Sequence, residues 1–360
     1  WGYTHAPWKT PEMPQTLEQD RVLVAAFENR SGDESLDHIG HSLATAVAEG
    51  LTTTGVVEVI PHSPDWSEPD GTESEGGGVA RALAEARDVG ASVLVTGSFH
   101  VRDQTLHVDT SVLQVDDGSA INIIADETGP LATPDTAIDK VRSRTMGSLA
   151  ARADPTIGDY ARSHAPLYEA YVEYQSAMGY FGISGMRALE HTEHALELDP
   201  EFSYARVMKV AALLSVDRFS AADSLIQDIR SSSAEMSPLA RSYLDFFDAR
   251  LRGDHMQALR KVREMVRLEP GHFMGGRLLA VSAMRVNRPH EAIRAFEQLI
   301  AEGAETGLYI DSWVDGGLAN AYHMLGEYGR ELEILEAAVV KYPDLLWLRA
   351  RQTRALAGLG

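Results

Sequence analysis

The chain has no cysteine, no long apolar run, and far fewer basic residues than acidic ones. The first absence excludes disulfides, thiolate metal sites and cysteine nucleophiles, but does not choose a compartment. No apolar run reaches the roughly 18 residues that a membrane-spanning helix requires. The basic shortfall is large: 32 Lys+Arg against 53 Asp+Glu, a net charge of −21. It is also uneven, because residues 1–160 hold 10 Lys+Arg and 26 Asp+Glu, a net of −16. Such a surface repels phosphate backbones and anionic lipid headgroups, which argues against nucleic acid and anionic membrane as direct partners.

Two catalytic signatures are missing as well. There is no G-x-S-x-G elbow to present a nucleophilic serine. Gly76-Gly77-Gly78 precedes a helical pattern but has neither the lysine nor the leading strand of a phosphate-binding loop, and acids crowd its approach. The chain starts at Trp1 rather than methionine. We therefore expect a processed product or a fragment, with a segment preceding it.

What is present is repetition. Apolar periodic segments end at Asp199-Pro200, Glu269-Pro270 and Tyr342-Pro343, and these prolines are 70 and 73 residues apart, about two units of roughly 34 residues each. Within each unit a small residue falls where a second helix would cross the first: Ala188, Ala222, Ala258 and Ala292, with Glu331 breaking the pattern in the fifth. Seven residues further on stand Ala195, Ile229, Met265, Leu299 and Ala338, the same helical face two turns later. In this register the units begin near Glu169, Ser203, Leu239, Phe273 and Ser312.

A unit of this length, with Ala, Ala and Pro at the spacing of Ala188, Ala195 and Pro200, resembles the tetratricopeptide repeat (TPR), a helix–turn–helix that stacks into a solenoid. The resemblance covers residues 165–360 and implies five helical pairs and a closing helix. It also implies a partner-binding concave wall built from first helices. In the register above the inward positions are Glu173, Tyr180, Tyr204, Tyr243, Phe247, Arg250, Arg277, Trp313, Asn320 and His323, with Met274 and Met284 among them. Aromatics, methionines and a few cations are residue types that anchor peptides. Asn320 stands where related repeats hold a peptide backbone, and Arg250 and Arg277 are placed to meet a carboxylate.

The stretch before the repeats has another pattern. Residues 1–19 carry Pro7, Pro11 and Pro14, which forbid a helix and predict an extended leader, with Trp1, Tyr3 and Trp8 as aromatic contacts for a membrane interface, a neighbouring protein or the chain's own domain. Residues 20–153 read as an α/β domain of order β-α-β-α-β-β-β-α with a mixed sheet ending in a meander. The strands are Arg21–Phe27, Val56–Ile60, Ala91–Val101, Thr105–Val115 and Ser119–Glu127. The helices are Leu36–Leu51, Val79–Val89 and Asp135–Ala151. Pro61–Gly78, with five acids, predicts a solvated loop.

The F-x-N-x-S-G-D turn (Phe27, Asn29, Ser31, Gly32, Asp33) and the segment marked by Gly90, Ala91 and Gly97 make this domain similar to the TolB/FlgO-like amino-terminal domain. That resemblance implies an extracytoplasmic, periplasmic and membrane-associated setting ahead of TPR repeats, as in receptor-like Ser/Thr kinases and adenylate cyclases. It carries over no catalytic residue and no cofactor.

Two histidine pairs need a reading. His191 and His194, beside Glu190, share a helical face, as do His38 and His41. Both have metal-ligand spacing, yet a solvated polar face is the reading we adopt, with no metal. The expectation is thus a non-enzymatic protein-interaction module, a sensor or adaptor. The alternative is an extrinsic subunit docked permanently on a membrane complex.

Overall fold

The structure, a computed structural model, describes residues 20–60, 77–152, 154, 165–181, 184–232, 236–270, 273–306 and 312–360. The expected leader (1–19) and most of the expected acidic loop (61–76) lie outside the described residues. The chain divides into two compact units, one within Glu18–Ser237 and the other comprising Pro238–Gly360.

In the first unit the strands are β1 (Arg21–Val24), β2 (Glu28–Asn29), β3 (Glu58–Ile60), β4 (Val93–Arg102), β5 (Thr105–Gln114) and β6 (Ala120–Pro130). The helices interleaved with them are α1 (Asp37–Thr54), α2 (Gly77–Asp88) and α3 (Asp135–Arg152). The sheet order is β3-β1-β4-β5-β6, parallel through β3, β1 and β4 and antiparallel through β4, β5 and β6. This is the mixed sheet with a terminal meander that the pattern predicts. One face packs on α1 and α3 through Val22, Leu43, Val47, Phe99 and Val141; the other packs on α2 through Leu23, Ala82, Ala86 and Leu94.

The first strand differs from expectation. RVLVAAF reads as continuous, but β1 and β2 are separate ladders along one side of β4: Val24 pairs with Val95, whereas Glu28 pairs with Ser98. Four steps on one strand oppose three on the other, a bulge. Phe27 turns there into the core, its N–H donating to the Gly40 carbonyl (3.3 Å) and its ring lying against Gly97. A Cβ on Gly97 would fall inside contact distance of the Asp109 carbonyl oxygen and the Phe27 ring. Gly97→Ala should therefore destabilise the first unit by about 1–3 kcal/mol, because the opposing strand backbone cannot give way. An unchanged denaturation midpoint would contradict this packing.

The F-x-N-x-S-G-D segment spends its polar groups on itself. Asn29 Nδ2 donates to Asp37 Oδ1 (2.6 Å) and to the Asp33 carbonyl (2.9 Å), while its Oδ1 accepts from the Ser31 backbone N–H (2.9 Å). Gly32 has φ +76°, and Asp33 accepts from the Ser35 N–H (3.0 Å) to cap the turn leading into α1. The segment builds a turn rather than a ligand site.

Helical pairs follow. In the first unit these are α4 (Tyr168–Tyr180) with α5 (Gly185–Leu198), and α6 (Ser203–Ser215) with α7 (Phe219–Ser231). In the second unit they are α8 (Pro238–Leu251) with α9 (His255–Leu268), α10 (Phe273–Arg285) with α11 (Pro289–Thr306), α12 (Ser312–Met324) with α13 (Tyr328–Lys341), and then α14 (Leu346–Leu359). Within each unit every helix of the series packs on the next, and α10 packs directly on α12. The small-residue stripe is buried throughout, with Ala188, Ala222 and Ala292 at 0% exposure. The fold is thus an α/β domain followed by TPR-like helical pairs.

A polar lock joins the α/β domain to the first pair. Arg144 on α3 pairs with Glu127 (2.5 Å) and with Asp199 (2.8 Å), and donates to the Ala165 carbonyl (2.7 Å). Asp199, 1% exposed, also accepts from the Leu167 N–H (3.0 Å). Ser143 accepts from the Tyr168 N–H (2.9 Å) and donates to Glu169. Gly147 lets α3 close on the Pro166 carbonyl. The acidic member of Asp199-Pro200 therefore does more than end a helix.

Candidate functional site

The first helices of the second unit carry most of the expected binding residues. On α8, Arg250 is half-buried with its guanidinium 5.8 Å from the Phe246 ring centroid. Burial depresses its pKa and nearby Arg285, at the end of α10, adds to the effect. Neither Arg250 nor Arg285 is paired with a carboxylate among the described residues. On α10, Arg277 stacks 4.3 Å from the centroid of Trp313, the second residue of α12. The same indole meets the buried Phe296 ring edge-on at 5.9 Å. A guanidinium, an indole and a phenyl ring thus form one cluster, and a cation over an aromatic face adds roughly 0.5–2 kcal/mol to its own placement. Met274 and Met284 are half-buried on the same helix.

Three expected contacts are core residues instead. Tyr204 (1%), Tyr243 (0%) and Phe247 (2%) are closed to solvent. Tyr204 packs 5.6 Å from Tyr174, and Phe247 lies 6.2 Å from Tyr243 and 5.2 Å from Phe246, ring centroid to centroid. Periodicity gives the direction in which each Cβ points. It does not reveal whether a neighbouring helix covers that direction, and an aromatic side chain gains about 1.5–3 kcal/mol when one does.

Asn320 and His323 are already engaged. Glu331 on α13, fully buried, accepts from His323 Nδ1 (2.7 Å) and pairs with Arg354 of α14 (2.5 Å). Arg354 also donates to the Asn320 side-chain oxygen (3.2 Å). The residue that breaks the small-residue pattern is therefore the anchor of the closing helix, and it draws Asn320 and His323 into that anchor. Trp347 of α14 completes the contact by lying over Gly316, whose carbonyl accepts from Arg351.

Glu173 and Tyr180 lie on α4 in the other unit, where both serve the α4–α5 pair. Glu173 accepts from His191 Nδ1 (2.7 Å), and His194 Nδ1 lies 3.3 Å from its other carboxylate oxygen. Tyr180 stacks on His191 at 5.4 Å and accepts at its hydroxyl from Arg187 (3.0 Å). The EHTEH histidines thus flank one carboxylate, and among the described residues no group of three His, Cys, Asp or Glu side chains is arranged to hold a metal.

The structure brings Arg277 and Trp313 together across α10 and α12, and sets Arg250 of α8 near Arg285, about two turns along α10 from Arg277 and not foreseen from the sequence. Its signal was present: Arg250 and Arg285 end two successive first helices, 35 residues apart. No family model and no curated protein matches the chain. Solved structures do. A thermophilic TPR protein of Thermus thermophilus is 17% identical, aligned over 52% of this chain and 99% of that one, with a TM-score of 0.40. A tetratricopeptide repeat protein from Parabacteroides merdae is 12% identical over 62% and 95%, TM-score 0.38, and a chain of the APC/C hetero-tetramer Cut9–Hcn1 is 13% identical over 61% and 46%, TM-score 0.40.

Proposed function

We propose that the chain is a non-enzymatic protein-interaction module, a sensor or adaptor, that takes a protein partner on the surface formed by α8, α10 and α12. The observation that carries this reading is half-buried Arg250, repelled by the exposed Arg285, with neither paired to a carboxylate among the described residues, together with the Arg277–Trp313 contact on the same series of first helices. A partly dehydrated cation facing a like charge is costly unless an anion meets it. A partner offering a carboxylate next to an apolar side chain fits that arrangement. The extracytoplasmic, membrane-associated setting rests on the resemblance of residues 20–153 to TolB/FlgO-like domains.

The reading makes stability and binding move in opposite directions. Arg250→Gln should leave the unfolding midpoint unchanged or raise it, since it removes a repelled and partly dehydrated cation, while partner binding falls by about tenfold or more. Denaturation and pull-down from native membranes in mild detergent, with identification by mass spectrometry, check the two halves. Trp313→Ala should also lose the partner. Capture unaffected by both substitutions would remove the surface from the account.

The second reading, a subunit docked permanently through its amino-terminal part, is favoured by where the charge lies. Residues 238–360 hold 16 Lys+Arg and 16 Asp+Glu, so the whole −21 belongs to residues 1–237. A stoichiometric complex that survives both substitutions would support that reading.

A further inference from the structure

A separate cleft lies where the α/β domain meets the first helical pair. It has a volume of about 720 Å³ and is walled by α1, α3, α4 and α5. Met146, Val172 and Leu198 give it an apolar lining, and Glu49, Glu169 and Glu173 supply carboxylates around it. Val172 and Leu198 are 43% and 38% exposed, large apolar side chains left in water on two adjacent helices. The basic side chains present are already engaged: Arg142 pairs with Asp139 (3.1 Å), and His194 faces Glu173 (3.3 Å).

The walls are fixed. The Arg144–Asp199 and Ser143–Tyr168 contacts hold α3 against the start of α4, and Gly50 lets Arg142 and Met146 of α3 approach α1 where any side chain would collide. A preformed apolar cleft ringed by acids, in the part of the chain that carries all the net negative charge, selects against phosphate-bearing ligands and for cations with apolar neighbours. A small inorganic cation would leave Val172 and Leu198 uncovered. An amphipathic polypeptide segment covers them and meets the carboxylates with the same stroke.

We propose that the cleft between α1, α3, α4 and α5 docks a basic amphipathic segment of a partner protein, with leucine-like side chains on Met146, Val172 and Leu198 and lysine or arginine toward Glu49 and Glu169. This site is independent of the α8–α12 surface, and either can fail without the other.

The test uses the full chain and a fluorescein-labelled helical peptide of lysine and leucine, read by fluorescence anisotropy at about 0.15 M salt, where long-range attraction is screened beyond ~8 Å. The wild type should bind this peptide and not the corresponding glutamate–leucine peptide. Glu49→Lys and Val172→Lys, both solvent-exposed positions on separate helices, should each weaken binding by roughly tenfold. Asp88→Lys, the same charge change at the end of α2 on the opposite face of the sheet, should leave it within about twofold. Equal weakening by Asp88→Lys would reduce the effect to diffuse attraction and overturn the proposal. So would binding that survives both cleft substitutions, or a change in sedimentation mass caused by them, which would make the cleft an interface between copies of the chain.

Discussion

Replacing Arg354 with alanine is expected to cost the second unit about 3 kcal/mol and to release α14, whereas replacing its partner Glu331 with alanine should cost only about 1 kcal/mol. The asymmetry follows from burial. Glu331 has no exposed surface, while the Arg354 side chain is 37% exposed. Removing Arg354 leaves a carboxylate sealed in the helix packing with His323 as its remaining partner; removing Glu331 lets the guanidinium turn to water. Glu331→Ala also restores the residue type that the other second helices carry at that place. The double substitution should therefore be no worse than Arg354→Ala alone, with a coupling of at least about 1 kcal/mol in the cycle. Urea unfolding of the four proteins measures it. Equal losses for the two single substitutions would show that the carboxylate is not held by the closing helix.

The larger effect lies in the first unit. Arg144→Met should destabilise it by about 3–5 kcal/mol, because Asp199 is left 1% exposed without its counter-charge and Glu127 loses the same cation. For a unit of this size that corresponds to a fall in Tm of roughly 10 °C, at about 2–4 °C per kcal/mol. Arg144→Lys should recover only part of the loss, since one ammonium cannot reach two carboxylates and the Ala165 carbonyl in the geometry of a guanidinium fork. The transition of residues 238–360 should not move. An Arg144→Met protein within about 1 kcal/mol of the wild type would mean that α3 and α4 are held by apolar packing alone.

These two anchors mark the boundary of what the sequence discloses. The repeat register is legible to within a residue, since α4, α6, α8, α10 and α12 begin at Tyr168, Ser203, Pro238, Phe273 and Ser312. Small residues recurring at helix crossings leave a periodic trace because backbone proximity demands them wherever pairs form. The bulge at Phe27 leaves none, as an apolar run reads alike with or without an extra residue. Ion pairs across elements are hidden for a different reason: Arg144 and Asp199 are 55 residues apart, and either could face water. Glu331 is visible as an anomaly at a small-residue position, but its partner Arg354 becomes identifiable only when α14 is in place. The same ignorance of neighbours put Tyr204, Tyr243 and Phe247 on a binding wall when they fill the core, and left Asn320 and His323 reading as available when Glu331 and Arg354 engage them.

The most direct test of the interaction account is hydrogen exchange on the full chain, alone and in complex with its captured protein partner. The account predicts added protection concentrated in α8, α10 and the start of α12, around Arg250, Arg277, Arg285 and Trp313. Protection confined to residues 20–152, with those helices exchanging as in the free chain, would contradict it.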